Sequence, residues 1–317
     1  MIDLTRLVEC VPNVSEGRRP EVVDEIVAAF AGADPEVLVL DRSSDPDHHR
    51  SVITLMGPGP ALVEAAVAGA RACARLIDLN HHRGVHPRMG ALDVLPFVPF
   101  GAMTRLRGGD DPDLDCAALA ERAGGRIAAE AGVPVYLYGA AARRPGRAAL
   151  PAVRGRGFEA LRATLAAGGA DFGGPGLHPT AGAVAAGARE VLVAYNVELA
   201  GADLELARRI ATAVRERDGG LPAVRAMGVA LEHRGLVQVS MNLLDYRATP
   251  PAAAYAAVAE LAERAGARVE ASEIVGLVPA GALEGTDPAA LRLRGFTSDL
   301  FLETRLLQAL TTSKERS

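Results

Sequence analysis

Apolar residues in the first hundred positions follow two kinds of pattern. Continuous apolar runs such as "LVECVPNV" at 7–14 predict buried strands, and apolar residues every three or four positions, as in "RPEVVDEIVAAFAGA", predict helices. Pro20 suits the first turn of that helix. The predicted order is βαββαβ, with further strands at 37–41, 51–57 and 91–100 and a second helix at 60–77.

The second half of the chain repeats this order. Its predicted elements are a strand at 190–199, a helix at 202–217, a hairpin over 223–245, a helix at 249–266 and a strand at 268–279. An added helix at 114–132 and a strand at 133–139 extend the first half. A region rich in Gly, Pro and Arg then leads from 139 to 190.

The repeated pattern predicts an α+β protein, an α/β sandwich of two ferredoxin-like βαββαβ subdomains whose sheets are covered by helices. We expect the boundary near residues 183–190. The first subdomain is therefore assigned to 1–183, the second to 184–304 and a C-terminal tail to 305–317. The last part of that tail, 311–317, is polar and is expected to fray.

Composition narrows the classes of partner. The 317-residue chain carries a formal net charge of −5, which disfavours nucleic acid because nucleic-acid-binding domains present a basic face. No stretch is long and apolar enough to cross a bilayer, so we expect no membrane partner. Cys10, Cys73 and Cys116 are widely spaced and include no CxxC pair, which indicates reduced thiols in a cytoplasmic protein.

The segment "NHHRGVHPRMG" at 80–90 gathers histidines and arginines directly before a predicted strand. A zinc site would need a regular helix to bring His82 and His86 to one face. Gly84 and Pro87 disfavour that helix, so no metal is expected. A histidine fixed by a proline before a strand suits proton transfer near pH 7, which makes His86 the candidate catalytic residue.

Arginines beside this histidine suggest an anion site. Arg83 and Arg88 can each bind a carboxylate through two parallel hydrogen bonds, and Arg50, from the polar loop "DRSSDPDHHRSV" at 41–52, could join them as substrate-binding residues. The flanking cations should lower the pKa of His86 and keep it neutral. Solvated turn residues are the alternative interpretation for the rest of the loop.

Two further segments could contact a ligand. The loop "GGPGLHPTAG" at 173–182 is shaped by glycines and prolines, but it lacks the Lys of a P-loop and the context of a dinucleotide-binding turn. It is either a linker or part of a ligand site. Gln238, Ser240 and Asn242 alternate with apolar residues, so they share one sheet face, which is either a solvent face or the wall of a polar site.

Taken together, seven segments resemble the glutamate formiminotransferase family. They are "VECVPNVSEG" (8–17), "HRGVHPRMGALDVLPFVPF" (82–100), "PVYLYGAAAR" (134–143), "DFG…PTAGAVAAGAR" (171–189), "AYNVEL" (194–199), "GLVQVSMNLLDY" (235–246) and "SEIVGLVP" (272–279). These cover nearly the whole chain in order. The resemblance is to the stand-alone form, which lacks the cyclodeaminase domain of the vertebrate relatives.

This resemblance implies an activity. Such enzymes transfer the formimino group of N-formimino-L-glutamate to tetrahydrofolate, giving 5-formiminotetrahydrofolate and L-glutamate in histidine degradation. It implies small-molecule substrates, tetrahydrofolate as co-substrate, no metal, and a homodimer. Two alternatives stay open: related formyl transfer from N-formylglutamate or action on 5-formyltetrahydrofolate, and a non-catalytic folate-binding protein.

The resemblance also assigns residues. The histidine of the "HPRMG" segment, His86, would be catalytic, although Val85 stands where vertebrate relatives have Glu. In the glycine-rich loop, Thr180-Ala181-Gly182 replace their Ser-Trp-Gly. The residues that would contact folate are Gly173, Gly174, Pro175, Gly176, Leu177, His178, Pro179, Thr180, Ala181, Gly182, Gly220, Leu221, Pro222, Ala223, Val224, Arg225, Ala226, Met227, Gly228 and Val229.

Overall fold

The computed structural model describes residues 2–155, 157–164, 169–231 and 234–315. The chain divides into two compact units between Glu190 and Val191. The elements of the first unit are β1 (Leu7–Cys10), β2 (Asn13–Val14), α1 (Pro20–Ala31), β3 (Leu38–Asp45), β4 (Arg50–Pro58), α2 (Gly59–Leu76), β5 (Leu92–Pro99), α3 (Cys116–Ala131), β6 (Val135–Gly139), α4 (Leu150–Arg154), α5 (Phe158–Thr164) and β7 (Val184–Ala188).

The elements of the second unit follow the same plan. They are β8 (Val193–Ala200), α6 (Leu204–Val214), β9 (Val224–Leu231), β10 (Leu236–Leu243), α7 (Pro251–Arg264), β11 (Arg268–Val275) and α8 (Leu302–Glu315). Its four strands form an antiparallel sheet in the order β11-β8-β10-β9. Numbered along the unit this is 4-1-3-2, the order of a ferredoxin-like sheet.

The sheet of the first unit contains the same arrangement with an extension. β1 and β2 together occupy the place of one strand, since both pair with β4 on one side and β5 on the other, and β3 pairs with the far edge of β4. Pro12 interrupts the predicted strand 7–14, because proline has no N–H to donate to the ladder. β7 and then β6 add to β5 in parallel. The predicted α+β class with two ferredoxin-like units is confirmed.

One face of each sheet is packed by helices. In the first unit, Ile26 and Phe30 of α1 and Leu62 of α2 are fully buried in a core shared with Leu55 of β4 and Phe97 of β5. This is why the three-to-four-residue spacing of apolar positions predicted these helices. In the second unit, α6 and α7 cover the face that carries Tyr195, Val197 and Val239.

Three boundaries differ from the predicted ones. β7, placed in the second subdomain by a boundary at 183, pairs with β5 and β6 and lies in the first unit. β3 and β4 run on through Asp45 and from Arg50, so the polar loop is a turn of 46–49 rather than 41–52. The predicted tail 305–317 is helical from Leu302 to Glu315, because Leu302 and Leu306 are buried and hold it; positions 316–317 lie outside the described residues.

Candidate active site

Two loops of the first unit interlock in front of its sheet. The turn 46–49 between β3 and β4 meets the segment 80–91 that leads into β5, where the N–H of Val85 donates to the carbonyl of Asp47 at 3.2 Å. Gly84 lies so close that a Cβ there would be 2.4 Å from the carbonyl oxygen of His48. The two polar clusters seen separately in the sequence therefore form one site.

His86 is half-buried at this junction, and the backbone of the next residue, Pro87, fixes its tautomer. Nδ1 lies 2.8 Å from the carbonyl oxygen of Pro87. Because a carbonyl can only accept, the hydrogen of the neutral imidazole sits on Nδ1. Nε2 then carries the lone pair and can accept a proton. The ring of His48 is tilted beside it, with centroids 6.1 Å apart.

The charge state of His86 follows from its surroundings. Burial, followed by the positive charges of Arg50 and Arg154, holds the pKa of His86 well below its usual value. The sequence predicted this direction but attributed it to Arg83 and Arg88. The cations that act on the imidazole come instead from β4 and from the end of α4, and they keep it uncharged at neutral pH.

Asp93 joins these two arginines. Its carboxylate is fully buried, and Oδ2 accepts from Nη1 of Arg50 at 2.6 Å and from Nη2 of Arg154 at 2.9 Å. Oδ1 accepts from the backbone N–H groups of Met89 at 2.7 Å and Gly90 at 3.3 Å. Burial alone would raise the pKa of Asp93, but the guanidiniums and the backbone donors lower it to about 2. Asp93 is therefore an ionised hub between the arginines and the His86 segment.

The predicted substrate-binding arginines have different environments. Arg50 donates to Asp93 and, from Nε and Nη2, to the side-chain oxygen of Asn13 at 3.0 and 2.8 Å. Arg88 donates to both carboxylate oxygens of Glu159 at 2.9 and 2.7 Å. Arg83 is exposed and donates to backbone carbonyls, at 2.7 Å for that of His82. Of these three arginines, Arg50 is the one whose positive charge lowers the pKa of His86.

A second imidazole, His82, supports the same segment. Its Nδ1 accepts from Nε of Arg88 at 2.8 Å, so its Nε2 carries the hydrogen and donates to the carbonyl of His49 at 2.9 Å. Burial lowers the pKa of His82 to about 4. Nε2 of His49 in turn lies 3.1 Å from the buried carboxylate of Glu16, which also accepts from the N–H groups of residues 17–19, directly before α1. This network connects the segment 80–91 to the residues that precede the first helix.

The glycine-rich loop is half docked and half exposed. Residues 173–176 are exposed, whereas His178 and Gly182 close a tight turn, each N–H donating to the other's carbonyl at 2.8 and 3.0 Å. The carbonyls of Thr180 and Ala181 accept from the N–H groups at 79 and 91, both at 2.9 Å. The loop therefore packs against the same segment that carries His86.

The second predicted folate stretch, 220–229, belongs to the second unit. It forms the turn before β9 and most of that edge strand. Gly228 packs against α6 so closely that a Cβ would be 2.5 Å from the backbone nitrogen of Arg208. Gln238, Ser240 and Asn242 share the face of β10 opposite the core, as predicted; Gln238 is buried and Asn242 is exposed.

Metal ligands do not converge in the parts of the chain that the structure describes, since no three His, Cys, Asp or Glu side chains there are arranged to hold an ion. The thiols of Cys10, Cys73 and Cys116 are free and buried. Among the described helices, none is both long and apolar enough to pass through a membrane.

Sequence reasoning missed Asp93, Arg154 and Glu159. Asp93 had a signal, because an acid inside the apolar strand "ALDVLPFVPF" must be buried and therefore paired. Arg154 and Glu159 had none, since they lie far along the chain from their partners, Asp93 and Arg88. α4 packs on β6 and β7, the strands that extend the sheet in parallel, and the N–H of Phe158 at the start of α5 donates to the carbonyl of Arg88 at 2.8 Å.

Two domain families of known proteins match this chain. The profile of the formiminotransferase domain, N-terminal subdomain, matches residues 7–189, and that of the formiminotransferase domain matches residues 194–288. The chain belongs to the formiminotransferase family. The resemblance stated from the sequence is thereby confirmed, and the chain is a transferase of this family.

Individual relatives agree. The chain is 44% identical to a glutamate formimidoyltransferase of Thermoplasma acidophilum, over 96% of this chain and 98% of that one. It is 39% identical to a glutamate formimidoyltransferase of Streptococcus pyogenes, over 88% and 91%. Against the formimidoyltransferase-cyclodeaminase of Sus scrofa the identity is 43%, over 88% of this chain and 51% of that protein.

Proposed function

We propose that this formiminotransferase-family protein transfers the formimino group of N-formimino-L-glutamate to tetrahydrofolate, with His86 as the proton-transfer residue. The observation that carries the proposal is the neutral His86 imidazole, with Nδ1 bound to the carbonyl of Pro87 and Nε2 left as a proton acceptor. Relatives similar to this chain over most of its length bear the name glutamate formimidoyltransferase.

The proposed chemistry needs one group that accepts and returns a proton. N5 of tetrahydrofolate attacks the amidine carbon of the donor, which forms a carbon–nitrogen bond and leaves N5 positively charged. Nε2 of His86 takes the N5 proton and then gives it to the nitrogen of glutamate as the old carbon–nitrogen bond breaks. One imidazole balances the protons, because the proton that it takes from N5 is the one that it gives to the departing nitrogen of glutamate. General acid–base catalysis of this kind contributes about 10²- to 10⁴-fold.

The arginines that Asp93 joins are suited to a donor with negative charges. Formiminoglutamate carries two carboxylates, and the guanidiniums of Arg50 and Arg154 provide positive charge next to His86. Arg88 could hold a substrate carboxylate only by exchanging it for that of Glu159. We further propose that folate contacts the stretches 173–182 and 220–229; the docking of the first against the His86 segment supports this.

The function is tested by assaying purified protein with formiminoglutamate and tetrahydrofolate, with the formimino product cyclised by a coupling enzyme and followed spectroscopically. N-formylglutamate and 5-formyltetrahydrofolate are assayed in parallel. We expect transfer from formiminoglutamate to exceed that from the formyl compounds. Faster formyl transfer would favour the alternative reaction, and no turnover with any of them would favour a folate-binding protein.

We also propose that the protein is a cytoplasmic homodimer that acts in histidine degradation. Three free thiols are compatible with a reducing compartment. The measurement that tests the dimer is the molar mass by light scattering after size exclusion. A mass of one chain across micromolar concentrations would contradict it.

A further inference from the structure

Arg154 differs from Arg50, Arg83 and Arg88 in having a buried donor that lacks an acceptor among the described residues. Its Nη2 donates to Asp93 at 2.9 Å, but its Nε is buried and meets no hydrogen-bond acceptor in the described part of the chain. Arg50, by contrast, uses Nε, Nη1 and Nη2 on Asn13 and Asp93. A buried N–H without an acceptor is costly, which indicates that an acceptor belongs beside Arg154.

The net charge of the cluster formed by Arg50, Asp93 and Arg154 also indicates a missing acceptor. Arg50 and Arg154 are two positive charges that share one oxygen of a single carboxylate, so the three-residue cluster has a positive charge in excess. Tyr138 does not supply the missing anion. Burial raises the pKa of its phenol against the opposing charges of Arg189 and Arg154, so it stays protonated at neutral pH. A buried excess charge is expensive without a counter-charge, and an anion is the ligand that removes this cost.

The alternative anion-binding arginine is already occupied. Arg88 binds Glu159 through two parallel hydrogen bonds and also donates to His82, so its fork is filled by protein groups. Arg154 is the mostly buried arginine that both acts on the charge of His86 and retains a free N–H. Guanidinium N–H groups of this kind favour carboxylates.

We infer that Arg154 binds a carboxylate of the formiminoglutamate donor and is a further specificity-determining residue of the site. The inference rests on the proposed function. Folate carries carboxylates too, in its glutamyl tail, but the reacting carbon of the donor is separated from its own carboxylates by only a few bonds. A carboxylate bound beside His86 is therefore assigned to the donor rather than to the distant end of folate.

The test uses Arg154→Lys and Arg154→Gln in the full chain, with initial rates measured against each substrate in turn. We expect the KM for formiminoglutamate to rise about 10-fold for lysine and about 100-fold for glutamine, since a charge-assisted bond is lost stepwise. The KM for tetrahydrofolate should change less than about twofold. Arg126→Gln is the matched control, because Arg126 pairs with Glu64 and Glu130 on the surface of α3.

Three results would overturn the inference: an unchanged donor KM in both variants, a rise confined to the folate KM, or a fall in kcat with both KM values unchanged. Binding of L-glutamate, measured by calorimetry, should weaken in Arg154→Gln; equal binding would also contradict the inference. Thermal unfolding of each variant checks that it is folded, and the lysine variant remains informative if the glutamine variant is not. Absence of turnover in the unmodified protein would refute the proposed function instead, while the glutamate-binding comparison still tests Arg154.

Discussion

The imidazole of His82 lies parallel to that of His49, with ring centroids 4.1 Å apart and the planes 4° from coplanar. The two residues come from the two interlocked loops, and the Nε2 of His82 also donates to the carbonyl of His49. Nδ1 of His82 accepts a hydrogen bond from the Nε–H of Arg88, so a second proton cannot bind there without breaking this bond. This contact therefore makes the packing of the two loops sensitive to acid.

Acid should destabilise the protein through His82. Its pKa is about 4 in the folded protein, against an ordinary value of 6.5 that applies to the unfolded chain. Between these pH values the unfolded chain binds a proton that the folded protein does not. The stability from His82 is fully present above pH 6.5 and is lost as the pH falls toward 4. We expect His82→Gln to flatten the dependence of unfolding free energy on pH by up to about 1.4 kcal/mol per pH unit.

Chemical denaturation at several pH values between 4 and 7 measures this slope. His81→Gln is the control, since the His81 side chain is exposed, and its slope should match that of the unmodified protein. Part of the slope should persist in His82→Gln, because burial also lowers the pKa of His86. Identical slopes for His82→Gln and the unmodified protein would rule out this source of acid sensitivity.

Asp93→Asn should be strongly destabilising. The change removes the negative charge that Arg50 and Arg154 share in a fully buried site. The asparagine would present to them either its NH₂ group, which cannot accept, or an uncharged oxygen, which is a poorer acceptor. Breaking a buried ion pair in this way costs about 3–5 kcal/mol. The free energy of unfolding by urea measures it. Asp113→Asn, which breaks a half-exposed pair with Arg122, should cost less than about 1 kcal/mol. Equal costs for the two variants would show that Asp93 is not the hub described.

Gly182→Ala should separate close packing from backbone conformation in the glycine-rich loop. Gly182 has φ of +68°, and a Cβ there would be 2.1 Å from the carbonyl oxygen of Met89. Gly174 also has a positive φ, +86°, but its Cβ would meet nothing within 4 Å. Gly174→Ala should cost about 1 kcal/mol, and Gly182→Ala at least about 2 kcal/mol more.

Both variants are compared by thermal unfolding. The larger cost at Gly182 should be accompanied by a lower kcat, because Met89 belongs to the same segment as His86 and would have to move. Similar stability of the two alanine variants would mean that the loop does not press on this segment.

The sequence predicted the fold well because its signal is local. Apolar spacing identifies α1 and α2, and the order of elements leaves few ways to form a sheet. The sequence did not predict the contacts between elements that lie far apart along the chain. β7 joined the first sheet although its five small residues, "VAAGA", match no predicted strand, and the helical end of the chain depends on the burial of Leu302 and Leu306.

For the candidate site, the sequence indicated His86, the proposed catalytic residue, but not its surroundings. His86 stood out because Pro87 and the following strand fix its position, which is a local property. Of the two cations that lower its pKa, Arg50 was among the predicted residues, whereas Arg154 was not, because Arg154 reaches Asp93 across 61 positions of the chain. Arg88 looked equally suited to bind substrate, and only the position of α5 reveals that Glu159 occupies it.

The central claim is that Nε2 of His86 relays the proton during formimino transfer, and the kcat of His86→Ala tests it most directly. We expect kcat to fall about 10²- to 10⁴-fold, as for loss of a general acid–base, while the Kd for tetrahydrofolate stays within about threefold. Turnover equal to that of the unmodified protein would contradict the claim.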